Sequence, residues 1–232
     1  MNNRETEISI RNIHDYWIQS SVPVVHCGAH LAEELEEYLD VGWNDITWIE
    51  ANPDLIPRLK ARVKESNLSK VINAALWSLD GEELELKVAN NSYSSSFLNF
   101  GSHAEIYPEI NFEKVIKVKT VTLDSVFESH EINSKAFLVL DLQGSELEAL
   151  KGATKFLNYF DYVYTEVSKG NLYESQGKWP EITNFLANQD FKLVDWQYSK
   201  KLDWGNALYL RNAKRLLTVS SRVRRKLKDF YH

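Results

Sequence analysis

The chain has 232 residues, of which 44% are hydrophobic and 26% charged, and its formal net charge is −6. That length suits one domain with a substantial core, and no run of about 18 apolar residues is present to form a membrane-spanning helix. The single cysteine, Cys27, excludes an internal disulfide. With an opening MNNRETEISI that lacks the apolar stretch of a secretory signal, it leads us to expect a cytoplasmic protein.

In chain order, Ile10, Ile13 and Trp17 recur at helical spacing, so residues 1–21 read as an N-terminal helical segment. Residues 23–27 (PVVHC) read as a buried strand ending at Gly28. Leu31, Leu35, Tyr38 and Leu39 mark one face of a helix, and its early glutamates (Glu33, Glu34, Glu36, Glu37) suit the positive end of the helix dipole. Residues 45–50 form a second strand, 54–65 a helix opened by Asn-Pro-Asp, and 71–76 a third strand. Residues 83–89 (ELELKVA) alternate and pair with 115–120 as an antiparallel excursion. The apolar run 136–141 (AFLVLD) fits a central parallel strand. Ser145 and Glu148 match a capping box, and Gly152 suits a left-handed stop. A strand at 161–167, a helix at 180–188, and strands at 191–197 and 207–210 complete a domain over 22–212. Alternating strands and helices predict an α/β fold with a mostly parallel sheet and helices on both faces.

Residues 213–232 carry a balance of +6, so the preceding 212 carry −12. An acidic body makes a poor nucleic-acid surface. Leu216, Val219, Val223, Leu227 and Phe230 recur at steps of three and four, predicting a basic amphipathic helix. Such a helix packs on its own body or a twin subunit, or docks on an anionic membrane surface.

Ligands of such sheets bind beyond the C-terminal strand ends, where four features fall. Gly28, in His26-Cys-Gly-Ala-His30, permits close backbone approach; Ala32 replaces the later glycine of a dinucleotide motif. Glu50 closes the second strand, where a carboxylate accepts ribose hydroxyls. Asp141 and Gln143 lie in DLQGSE, and Glu166 precedes the polar loop 168–178. His26 and His30 straddle a turn without a supporting cysteine cluster, so no metal site is expected. Trp179 and Trp204 are candidates for stacking on a sugar.

The segments VVHCGAHLAEE, WIEANP, NAALWSLDGEEL, NNSYSSS, LVLDLQGSELEALKGA and EVSKGNLYESQG, in this order, make residues 22–211 resemble the FkbM family of methyltransferases. The resemblance implies a Rossmann-like fold that binds S-adenosyl-L-methionine and methylates hydroxyls of sugars, glycans or natural products. It places His26, Gly28, Ala29, Glu50, Ala51, Asn52, Ala75, Ser95, Ser96, Asp141 and Gln143 at the donor, and Glu146, Glu166, Ser168 and Tyr173 at the acceptor. His26 and Ala32 depart from it, since many members carry Asp and Gly there. Asp141 and His30 are the candidate general bases, because a sugar hydroxyl is a poor nucleophile. A degenerate domain that binds without turnover, and a nicotinamide-dependent dehydrogenase, are the alternatives.

Overall fold

The computed structural model describes residues 6–64, 68–127 and 136–211. The basic helix expected over 213–232 lies outside the described residues.

A short helix, α1 (Ile10–Ile13), is capped by Ser9, whose Oγ accepts from the Asn12 N–H, and continues as a π-helical turn over His14–Ile18. Ile10, Ile13 and Trp17, the residues spaced for that helix, are all buried. Next come β1 (Val24–Cys27), α2 (Leu35–Asp40), β2 (Ile46–Glu50), α3 (Ile56–Val63), β3 (Lys70–Asn73), β4 (Ala75–Leu76) and β5 (Glu83–Ala89). They are followed by α4 (His103–Ile106), β6 (Phe112–Val121), α5 (Leu123–Val126), β7 (Ala136–Leu140) and α6 (Glu146–Lys151). The chain closes with β8 (Phe160–Ser168), α7 (Trp179–Ala187), β9 (Phe191–Ser199) and β10 (Trp204–Arg211).

Seven strands build one sheet in the order β3-β2-β1-β7-β8-β10-β9. Neighbours are parallel except at β10, which runs against both β8 and β9. Strand order reverses between β1 and β7, which is the switch point at which such sheets open a crevice. The central strands are apolar on both faces because both are covered. Val25, Cys27, Leu138 and Leu140 pack with Leu150 of α6 and Ile182 of α7. Val24, Phe137 and Val139 pack with Ile13, Tyr38 and Leu59 of the first three helices. Each fully buried Leu, Ile or Phe contributes about 1.5–3 kcal/mol relative to exposure.

Four local expectations are corrected. The strand expected over 71–76 is two: the Ala74 N–H turns to the Glu50 carbonyl, and β4 joins a second sheet, β4-β6-β5. In that sheet β5 and β6 pair antiparallel from Glu83↔Lys119 onward, as their alternation predicts. The helix expected from Leu31 starts only at Leu35, because His30 and Ala32 adopt left-handed backbone (φ 42° and 57°); Leu39 is 42% exposed and leaves the buried face. Ser145 precedes α6 but makes no capping bond. The Glu146 carboxylate instead accepts the Leu142 and Gly144 N–H groups. Gly152 is not left-handed (φ −81°); it is glycine because a Cβ would stand 2.2 Å from the Trp77 carbonyl oxygen.

Among the described residues no helix is long and apolar enough to cross a membrane.

Candidate active site

The C-terminal ends of β2, β1, β7 and β8 open into one cavity of about 870 Å³. Loop residues 90–97 line it opposite the strand ends. That loop is anchored by paired backbone bonds between Lys87 and Ser96.

At the switch point, Gly28 has φ 85°, and a Cβ there would lie 1.7 Å from the Asp141 carbonyl oxygen. Only glycine lets the two strand ends approach so closely. Glu50, at the tip of β2, is buried, and burial pushes its pKa up. Its Oε2 accepts the His30 N–H at 2.8 Å and its Oε1 the Asn52 N–H at 2.6 Å. Both oxygens are thereby fixed at the cavity wall, and each keeps a lone pair for a ligand hydroxyl.

The imidazole of His30 bridges two partners. Nδ1 lies 2.8 Å from Glu33 Oε1, and Nε2 lies 2.7 Å from Ser92 Oγ. Burial raises the Glu33 carboxyl, but the His30 hydrogen bond and charge outweigh it, leaving the pKa below its ordinary value. With Nδ1–H donating to the Glu33 carboxylate, Nε2 is left as the acceptor for the Ser92 hydroxyl.

Asp141 follows β7 and is open to the cavity. Its Oδ1 accepts from Gln143 Nε2 at 2.6 Å, and the same amide reaches Glu166 Oε2 at 3.3 Å. Tyr173 donates to Gln143 Oε1 at 2.6 Å and so orients the amide. Burial pushes both carboxyls up. Glu166 is raised the more strongly, because the charges of Asp141 and Glu146 add to its burial. The Gln143 amide thus bridges the two carboxyls. Ser96 Oγ donates to the Gln143 carbonyl at 2.7 Å, tying the loop to this turn.

Gly28, His30, Glu50, Ala51, Asn52, Ser95, Ser96, Asp141, Gln143 and Glu166 all line the cavity. Six other expected residues do not. His26 sits on the opposite side of β1, bonded to the Tyr38 hydroxyl at 3.0 Å and stacked on Trp48, and burial lowers its pKa to about 4. Strand alternation explains this: His26 shares the face of Val24. Ala29 is buried, with its N–H on the Ile49 carbonyl, and Ala75 is buried beside the lining residues Ala74 and Leu76. Glu146 and Ser168 are buried, and Tyr173 is buried behind Gln143. Of the tryptophans, Trp179 is buried with its Nε1 on Tyr209, whereas Trp204 lines the cavity. Leu55, Leu76 and Leu86 form an apolar wall that sequence reasoning missed, since it comes from three separate elements. Glu34 and Glu37 also line the cavity; as part of a charge run they read only as helix-dipole partners.

Comparison with known proteins places this geometry. The profile of the methyltransferase FkbM domain matches residues 26–193. The 2-O-methyltransferase NoeI of Sinorhizobium fredii is 31% identical over 113 residues, 49% of this chain and 44% of that protein, so this chain spans less than half of that relative. The hexuronic acid methyltransferase AglP of Haloferax volcanii is 23% identical over 206 residues, 79% of this chain and 82% of that protein. Among solved structures, magnesium protoporphyrin IX methyltransferase from Synechocystis with bound SAH superposes with a TM-score of 0.50 at 8% identity, over 88% of this chain and 80% of that one. The ribosomal protein L11 methylase of Lactobacillus delbrueckii gives 0.50 at 9% identity, over 91% and 80%. These two share the Rossmann-like fold, and the profile match over most of the chain means that it belongs to the FkbM family of S-adenosylmethionine-dependent methyltransferases.

Proposed function

We propose that this chain transfers a methyl group from S-adenosylmethionine to a hydroxyl of a sugar or glycan acceptor, in the cytoplasm. The observation that carries the reading is Asp141, whose carboxyl is open to the cavity, held by the Gln143 amide that also reaches Glu166, and one strand from the Gly28 turn. The names of the two relatives, a 2-O-methyltransferase and a hexuronic acid methyltransferase, support a carbohydrate acceptor.

The residues present fit the donor. The Gly28 turn leaves a cradle that a Cβ would fill, Glu50 offers fixed acceptors for two ribose hydroxyls, and the Leu55, Leu76 and Leu86 wall suits a flat apolar base. When bound, the donor supplies a methyl group already activated on a sulfonium, so much of the remaining task is alignment and exclusion of water. Asp141 accepts the proton of the acceptor hydroxyl, and its raised pKa brings it nearer the operating pH of a general base. Gln143 holds Asp141 in place. The loop over 92–96 shields the reacting end from bulk water. His30, the other candidate base, is held between Glu33 and Ser92 at the donor end.

Incubation with methyl-labelled S-adenosylmethionine and an extract fractionated into glycans, lipids, proteins and small metabolites tests the reading. Label in the glycan or sugar fraction is expected. Thermal stabilisation by NAD, with none by S-adenosylmethionine or its demethylated product SAH, overturns it.

A further inference from the structure

The cavity runs on past Asp141. Strand order sets its length: β2, carrying Glu50, is separated from β10 by β1, β7 and β8. Four steps of about 4.8 Å give roughly 19 Å, room for a donor over β2, β1 and β7 and for an acceptor over β7, β8 and β10. Past Asp141 the lining takes in Glu166 of β8, Trp204 and Asn206 of β10 and Glu7, and Glu34 and Glu37 join it from the N-terminal end of α2, where the charge of Glu34 acts on Asp141 and on Tyr164 of β8. Two bonds tie it to the N-terminal segment: Ile10 N–H to Glu37 Oε2 at 3.4 Å, and Asn206 Nδ2 to the Thr6 carbonyl at 3.1 Å.

The charge of this cavity is one-sided. Among the described residues, eight acidic side chains line it and no lysine or arginine does; His30 and His103 are its basic groups. His30 is engaged at both ring nitrogens, and His103 is buried against Phe100. Glu50 faces the ribose hydroxyls of the donor and Asp141 takes the proton, and Glu34 and Glu37 have neither of these roles. Glu34 is half-buried at the cavity wall, where its carboxyl accepts from its own backbone N–H.

Resting on the methyltransferase reading, we infer that the acceptor end selects by charge: it favours a sugar carrying an ammonium group and rejects uronates and phosphorylated sugars. Recognition of a carboxylate or phosphate relies on arginine forks, lysine or free backbone N–H groups, and the far end presents carboxyls in their place. An ammonium brings three donors, which Glu34 and Glu37, three residues apart, can share. Trp204 adds an aromatic wall of the kind that attracts cations, and the Asn206 amide completes the polar rim. Burial, then the neighbouring glutamates, push Glu34 up to about 7. A bound cation would relieve that crowding, while an added anion would increase it. The inference separates this chain from its relative named for hexuronic acid.

The test uses the full chain and three probes of one shape: the methyl glycosides of glucosamine, glucose and glucuronate. Affinities are measured by calorimetry and saturation-transfer NMR, with and without SAH. The expected order is glucosamine, then glucose, then glucuronate, with the amine at least about tenfold tighter than the uronate at low salt and the gap narrowing at high salt. Glu37→Gln, which keeps an acceptor for the Ile10 N–H, should narrow the gap without inverting it. Equal or tighter binding of glucuronate overturns the inference, and so does a lack of binding by all three glycosides to a chain that binds SAH. Failure of SAH itself to bind overturns the donor reading instead, and the glycoside order on the donor-free chain still decides the charge preference.

Discussion

The hydroxyl of Tyr173 lies 2.6 Å from Gln143 Oε1, so a residue with no access to the cavity decides which way the amide facing Asp141 and Glu166 points. With that bond made, Nε2 is turned toward the two carboxyls. Removing it frees the amide to rotate and present its oxygen to Asp141. Tyr173→Phe should therefore lower kcat by about fivefold, the value of one ordinary hydrogen bond, and leave KM for the donor unchanged. A parallel rise in that KM would show that Tyr173 shapes donor binding instead.

Asp141→Asn keeps the side-chain oxygen that receives the Gln143 amide and removes the charge. Turnover should fall by about a hundredfold or more, the usual scale of lost general-base catalysis, with the circular dichroism spectrum and SAH affinity near wild type. Activity within about threefold of wild type would make Asp141 a turn residue. His30→Gln is the matched control for the second candidate base, with a smaller loss expected.

Gly28→Ala forces a methyl group to within 1.7 Å of the Asp141 carbonyl oxygen, at a backbone angle of φ 85°. The strands must part or the turn must rebuild. We expect a loss of at least about 2 kcal/mol of stability, read as a lower denaturant midpoint, together with loss of SAH binding. Wild-type affinity in this variant would mean that the cradle lies elsewhere.

Glu50→Ala removes the acceptor of two backbone N–H groups and of any ribose hydroxyl. Binding of SAH should weaken about ten- to a hundredfold by calorimetry, the scale of one or two charge-assisted hydrogen bonds. Glu50→Gln, which preserves one carbonyl oxygen, should fall between the two. Equal affinities for all three proteins would remove Glu50 from the donor site.

Stability should fall as pH rises from about 5 to 8. Burial pushes Glu146 up to about 7 from an ordinary 4.5, so between those values the native state holds more protons than the unfolded chain and stability declines with pH. Glu34, also near 7, acts in the same sense. His26 acts oppositely: its pKa is lowered by burial from 6.5 to about 4, so stability rises with pH across that lower window. In Glu146→Gln the Leu142 and Gly144 N–H groups keep their acceptor, and the decline attributable to this residue disappears. The Tm difference between variant and wild type should thus grow from pH 5 to pH 8. A constant difference across that range would contradict the assignment.

The central strands β1, β2 and β7 were legible because each is a short, wholly buried run, and Gly28, Glu50 and Asp141 were legible because such runs end in them. What was not legible depends on contacts between distant segments. The break at Ala74 requires the Glu50 carbonyl. The role of Gly152 requires Trp77. The pattern Ser145-Glu-Leu-Glu148 matches a capping box in spacing, but Glu146 competes for the turn and satisfies it. His26 was misplaced through the motif it belongs to, although alternation along β1 already set it on the face of Val24 and away from the ligand. The acids Glu7, Glu34, Glu37 and Glu166 come from the N-terminal segment, the start of α2 and β8, so only the folded chain brings them to one cavity.

The turn at Gly28 has a consequence for how such an enzyme diversifies. Its fit comes from backbone, through the approach of one strand end to a carbonyl oxygen, and a mutation there changes the fold before it changes the chemistry. The wall past Asp141 is built of side chains on the start of α2 and on the reversed strand β10, so a substitution there changes what the cavity presents without touching the Gly28 backbone. Donor use is therefore the conservative half of this molecule and acceptor choice the mutable half.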